Sequence, residues 1–195
     1  MRAKDKFLEK IKLLIFIFIL CFNHNIYAES IYKKIFDYNN ALKNSSLNFI
    51  QTNTNHLQEG IIYFGDERIK INYIKPQKIT IILSEKKGMY INHKLKEVEF
   101  FLTKKSYIKF FFDIFYKKNY IENMNVTNSS NEIDISERVQ LDNTFFNFQL
   151  IYENNPIKLR RLEITNNDEE IQMGFFNHKK ENAFDKKFFS MIDPF

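Results

Sequence analysis

Along most of the chain, apolar and polar residues alternate with a period of two, the pattern of half-buried strands. Residues 47–51 open the series and 60–64 follow. In 68–73, Ile69, Ile71 and Tyr73 share one face while Arg68, Lys70 and Asn72 take the other. Segment 78–83 repeats this with Ile79, Ile81 and Leu83, and 89–92 and 97–101 continue it around a turn at 93–96. Further strands are predicted over 120–127, 132–137, 145–153, 157–165 and 170–177. Within 145–153, Phe146, Phe148, Leu150 and Tyr152 face one way; within 157–165 the parity flips at Arg160-Arg161, which predicts a β-bulge. Asn-rich junctions at 128–131 and 166–168 supply turns.

Two mature segments break the alternation. In 29–44, Ser30 is a predicted N-cap and Ile31, Ile35, Tyr38 and Leu42 recur at helical spacing, which predicts an amphipathic helix. In 103–116, Tyr107, Ile108, Phe110, Phe111, Phe112, Ile114, Phe115 and Tyr116 are apolar nearly all round, with Lys109 and Asp113 the charges between them. A short helix of that kind must be buried on both sides or cover an apolar opening. The sum is a mainly β (α+β) fold: ten or eleven short strands in an antiparallel meander, one helix ahead of them and one inserted midway. No internal repeat or linker divides it.

The N-terminus is of another kind. Arg2, Lys4, Lys6, Lys10 and Lys12 precede an uncharged run at 13–22, and Ile26-Tyr27-Ala28 follows a short polar stretch. This is the layout of a secretory signal peptide cleaved after Ala28, so the reading is 1–28 signal peptide and 29–195 mature domain, exported to an envelope compartment. Cys21, preceded by Phe18-Ile19-Leu20, lacks the small residue of a lipidation site.

Composition is reinterpreted accordingly. The whole chain carries 29 Lys+Arg against 24 Asp+Glu, a net of +5, which invites a nucleic-acid reading. Five of those cations and two of the acids lie in 1–28, so the mature balance is near neutral and nucleic acid is not an expected partner. Only five of the basic residues are Arg; the Lys, Asn and Ile excess follows an AT-rich coding bias. With Cys21 in the signal segment, the mature chain has no disulfide and no thiolate. Of the 22 Phe, by contrast, only four lie in 1–28. That excess of rings points to a thick core or to a ring-lined cavity under a helix.

The inventory of reactive groups is thin. His56, His93 and His178 stand far apart, with no metal-ligand spacing, and no nucleophile–base motif is present. Acidic pairs such as Glu97 and Glu99 sit at i, i+2 and read as a solvent-facing strand edge. Neither catalysis nor a metal or cofactor is expected.

The order of features resembles the periplasmic lipoprotein carrier family (LolA). The matching pieces are Phe49-Ile50-Gln51, the Gly60-led strand to Phe64, and Arg68 to Tyr73 with Pro76 three further on. Thr80 to Leu83, Gly88, Lys94 to Val98, the helix over 106–115, and the closing Phe188-Phe189-Ser190-Met191-Ile192-Asp193-Pro194 complete the set. The resemblance implies an incomplete antiparallel β-barrel whose hydrophobic cavity holds lipoprotein acyl chains beneath a lid helix. On the apolar faces already read, the cavity residues would be Ile62, Phe64, Ile69, Ile71, Tyr73, Ile79, Ile81, Leu83, Phe146 and Phe148. The lid would be Tyr107, Ile108, Phe111, Phe112, Ile114 and Phe115. It further implies a monomer in the periplasm, outer-membrane lipoproteins as cargo, an inner-membrane lipoprotein-releasing ABC transporter as donor, and an outer-membrane acceptor. The family's Arg-Pro pair before the third strand, whose Arg latches the lid, is replaced here by Gly65-Asp66-Glu67, so no latch residue carries over. The other readings are a non-carrying envelope interaction or sensor module on the same scaffold and, behind it, a small lipid hydrolase.

Overall fold

The computed structural model describes residues 30–53, 56–106, 108–117, 120–141, 143–167 and 169–195. The segment read as a signal peptide and the lid residue Tyr107 lie outside these. Helix α1 (Ile31–Ala41) precedes six strands, β1 (Ser45–Asn53), β2 (His56–Phe64), β3 (Ile69–Lys75), β4 (Ile79–Leu83), β5 (Lys87–Asn92) and β6 (Glu97–Leu102). Helix α2 (Ile108–Tyr116) then leads to β7 (Asn125–Asn128), β8 (Glu132–Leu141), β9 (Thr144–Asn154), β10 (Ile157–Thr165) and β11 (Glu170–Lys180).

All eleven strands form one antiparallel sheet in the order β6-β5-β4-β3-β2-β1-β11-β10-β9-β8-β7. Two meanders are therefore joined by their outermost chain segments, β1 against β11, with Phe49 opposite Phe175. The edges left free, β6 and β7, are consecutive in the chain, and α2 is the element between them. This is an unclosed, incomplete barrel whose inserted helix lies between the two edge strands in the chain, as the alternation and the resemblance lead one to expect.

The period-two faces resolve into an inside and an outside. Leu47, Phe49, Ile62, Phe64, Ile69, Ile71, Leu83, Ile133, Ile135, Phe148, Leu150, Tyr152, Leu159, Leu162 and Phe175 point inward and form one core with Ile35 and the α2 phenylalanines. The bulge read from Arg160-Arg161 is present: the β9–β10 register slips between Leu159 and Arg161, which returns Leu162 to the inner face. Gly60 is required by close packing. A Cβ there would lie 2.3 Å from the Asn72 carbonyl oxygen and 2.5 Å from the Phe49 ring.

Segment 120–127 is not the single strand the alternation suggests. Residues Ile121–Asn123 form a 3-10 turn, and pairing begins at Asn125. Ile121 and Met124 are both buried. Three residues apart, they would fall on opposite faces of a strand but lie on one side of a turn. Likewise 103–116 is not one helix: Thr103–Lys105 is a 3-10 turn, anchored where the Thr103 hydroxyl donates to the Glu85 carbonyl at 2.9 Å, and α2 starts at Ile108.

Beyond β11 the chain runs across the outer face. Phe184, Phe188 and Phe189 cluster edge-on and stacked, with Tyr63 of β2 against Phe184 and Phe188. Lys70 donates to the Phe188 carbonyl at 3.1 Å and lies 4.0 Å from its ring centre. Further on, Met191 covers a second small core of Ile82, Met89 and Ile91, and Phe195 meets the His93 ring. Part of the phenylalanine excess therefore belongs to this outer strap and not to the interior.

Candidate functional site

Helix α2 lies on the concave face. Phe110 stacks on Phe148 of β9 at 3.9 Å between ring centres, and Phe115 packs on Phe64 of β2 at 4.9 Å. Phe111 leans on Phe115, and Phe112 stacks on Tyr116. The helix thus bridges both halves of the open barrel. Its charges are used locally: the buried Asp113 carboxylate sits between Lys109 and Lys117, one turn to either side, and Lys117 also reaches Glu85 at 3.5 Å.

Between the N-terminal half of α2 and the sheet is an apolar cavity of about 90 Å³. Ile71, Tyr73, Ile81 and Leu83 line it from β3 and β4; Leu162, Ile164, Ile171 and Met173 line it from β10 and β11; Ile108 and Phe111 form its roof. Register places its mouth at one end of the barrel, where Tyr73 faces Ile79 and Ile164 faces Ile171 beside their hairpins. Gln51 carries an amide at this mouth and is satisfied there, donating to Gln58 at 3.0 Å and accepting from the Tyr73 hydroxyl at 2.9 Å. The remaining lining is predominantly apolar, which suits aliphatic chains.

The residues read from the sequence separate into layers. Ile71, Tyr73, Ile81, Leu83, Ile108 and Phe111 converge on the cavity. Ile62, Phe64, Ile69, Ile114 and Phe115 lie in the packed core. Ile79 is half-buried beside the mouth. Phe146 and Phe148 belong to the opposite wall, where they pack on each other and Phe148 holds Phe110. Phe112 turns away, toward a polar cleft shared with Tyr116 and Lys43. The contribution of β10 and β11 was missed because the barrel closure between β1 and β11 is a contact of high sequence separation, invisible to periodicity.

Two fastenings hold the helices. At the far end of α2, the Tyr116 hydroxyl is shared between the carbonyls of Gly65 (2.9 Å) and Arg68 (3.0 Å) in the β2–β3 turn. Burial, with Asp66 nearby, pushes this phenol's pKa well up, so it stays a donor. The side chain of Arg68 serves the strap instead, donating to the Phe189 carbonyl at 2.5 Å. Helix α1 is tied through Asn39, which donates to the Ile114 carbonyl of α2 at 3.1 Å and accepts from the buried Tyr152 hydroxyl at 3.3 Å. Tyr38 accepts from the Leu159 amide at 3.0 Å, and burial pushes its pKa up to about 12.

Strand β8 carries an ionisable group at an inward position. Glu137 follows Ile133 and Ile135 at the same parity on β8, opposite Phe148, and meets the Tyr120 hydroxyl. Desolvation holds its carboxyl above the usual range.

No protein-family model matches the chain. No curated protein matches its sequence. Among solved structures, it is similar to an uncharacterized conserved protein from Thermus thermophilus, with a TM-score of 0.52 and 6% identity over 81% of this chain and 90% of that one. That likeness shows a shared fold. Looser likenesses are to MucB of Pseudomonas aeruginosa in complex with MucA (TM-score 0.47, 7% identity, 82% of this chain and 59% of that one) and to LprF from Mycobacterium bovis (TM-score 0.40, 11% identity, 82% and 96%).

Proposed function

We propose that this chain is a non-enzymatic carrier that takes the acyl chains of outer-membrane lipoproteins into its concave face and ferries them across the periplasm. The observation that carries the reading is the apolar cavity between α2 and the concave face of an unclosed barrel. A lipid anchor left in water costs about 0.8 kcal/mol per methylene, on the order of tens of kcal/mol for a multiply acylated protein. A carrier must offset that and still release its cargo, so its cavity cannot be much more favourable than a bilayer.

A lid built from the protein's own rings meets both demands. With α2 seated, the cavity of about 90 Å³ is far smaller than the roughly 300–1,000 Å³ of ligand pockets. Acyl chains enter only by displacing Ile108 and Phe111, and the lost ring contacts are replaced by lipid contacts of similar kind. Loading and unloading are then near balance, and net direction comes from outside: an ABC transporter at the inner membrane as donor and an acceptor at the outer membrane. The test is depletion of the protein followed by membrane fractionation. Lipoproteins stalled in the inner membrane support the carrier reading; unaltered sorting, with no acyl lipid co-purifying with the protein, overturns it.

A further inference from the structure

At the mouth end of the barrel, neighbouring strands hold three large aliphatic side chains out to solvent. Leu57 at the start of β2 is 57% exposed, Ile74 near the end of β3 54%, and Leu95 in the β5–β6 turn 59%. The pairings of Leu57 with Thr52, Lys75 with Glu59, and Ile79 with both Tyr73 and Asn92 place all three at the same end as the cavity mouth. Exposed lysines alternate with them: Lys75 and Lys78 follow Ile74, and Lys94 and Lys96 flank Leu95. The carboxylates nearby are Glu59, which pairs with Lys75 at 3.1 Å, and Glu97. Across the mouth, the turn between β10 and β11 carries Asn166, Asn167, Glu169 and Glu170, so the arrangement is one-sided.

Single exposed aliphatics are ordinary. Here exposed lysines follow Ile74 and flank Leu95, so the aliphatic tips are interspersed with ammonium groups that a rigid apolar protein surface would leave unpaired. A bilayer conforms to separated points: aliphatic tips enter the headgroup–acyl boundary while ammonium groups pair with anionic headgroups. We propose that Leu57, Ile74 and Leu95, with Lys75, Lys78, Lys94 and Lys96, form a rim that docks on an anionic lipid bilayer and sets the cavity mouth against it. The proposal goes beyond the carrier reading, because docking does not require the cavity to hold lipid.

Residues 30–195 contain the two helices, eleven strands and core of the described residues as one compact unit, so this unit serves as the test protein. It is sedimented with vesicles of phosphatidylethanolamine containing phosphatidylglycerol, and with vesicles of phosphatidylcholine alone. Binding is expected to the anionic vesicles and to be at least about a hundredfold weaker to the neutral ones, where no lysine finds an anionic headgroup. The L57S/I74S/L95S variant is expected to lose about tenfold in partitioning to the anionic vesicles, and K78Q/K94Q about thirtyfold, at about fivefold per lysine. All five positions are exposed, so both variants keep the circular dichroism of the parent. Absence of binding to anionic vesicles, or binding that neither variant weakens, overturns the proposal. Acyl-probe binding measured in parallel reads the carrier function separately, since neither variant touches the cavity.

Discussion

The Tyr116 hydroxyl, at the last residue of α2, donates to the Gly65 carbonyl across the β2–β3 turn at 2.9 Å. This side-chain bond ties the C-terminal end of α2 to the sheet, where the resemblance would place an arginine. Tyr116→Phe keeps the stacking on Phe112 and removes the fastening. The expected cost is about 1 kcal/mol, a fall of roughly 2–4 °C in Tm. The α2 amides should exchange with deuterium several-fold faster while those of β1 and β11 change little, as read by hydrogen-exchange mass spectrometry. Unchanged exchange in α2 would mean that ring packing alone holds the helix.

Phe111 roofs the cavity and leans on Phe115. Phe111→Ala is expected to destabilise by about 3 kcal/mol, at the low end for a buried phenylalanine because the site already borders a void. The same change enlarges the cavity, so a fluorescent fatty-acyl probe should bind more tightly. Denaturant titration and probe titration measure the two effects on one sample.

Two glycines separate backbone collision from side-chain collision. A Cβ on Gly60 meets the Asn72 carbonyl, which the β2–β3 pairing holds in place. The three atoms nearest a Cβ on Gly88 all belong to the ring of Phe101, which lies on the edge strand β6. Gly60→Ala should therefore cost about 2 kcal/mol or more and Gly88→Ala less, as read by midpoints in guanidinium chloride.

The interior position of Glu137 makes stability pH-dependent. Its folded pKa is raised, chiefly by desolvation, so its contribution is fully present below the unfolded carboxyl range and lost as pH rises through the folded value. Glu137→Gln, a mimic of the protonated form, is expected to raise Tm at pH 7. That gain should shrink as pH falls through about 4.5, the range in which the carboxyl becomes protonated in the unfolded state as well. Thermal melts across pH 4–8 check both the sign and the window.

Most of the strands, the bulge at Arg160-Arg161 and the cores of the two helices were legible because each depends on local periodicity; 120–127 was not, because Ile121 and Met124 are buried on one side of a turn. Ile69, Ile71 and Tyr73 announce their face whatever they pack against. The β1–β11 closure was not legible, since nothing in Phe49 or Phe175 names the other as its partner. Hence Ile164, Ile171 and Met173 were missed as cavity residues. Tyr116 read as one more ring of an apolar helix; its role depends on where the Gly65 carbonyl points. The strap was half legible: the closing Phe188-Phe189 was recognised, but its burial against Tyr63 and the capture of its backbone by Arg68 and Lys70 are tertiary facts.

The most direct measurement is native mass spectrometry of residues 30–195 with a synthetic triacylated lipopeptide, for the parent and for Ile171→Trp. Ile171 is half-buried at the cavity mouth, where an indole fills the space that acyl chains would enter without displacing the core. The expected result is a one-to-one complex with the parent and its loss in the variant, with unchanged circular dichroism. No complex with the parent, or a complex that Ile171→Trp leaves intact, would contradict an acyl-binding role for this cavity.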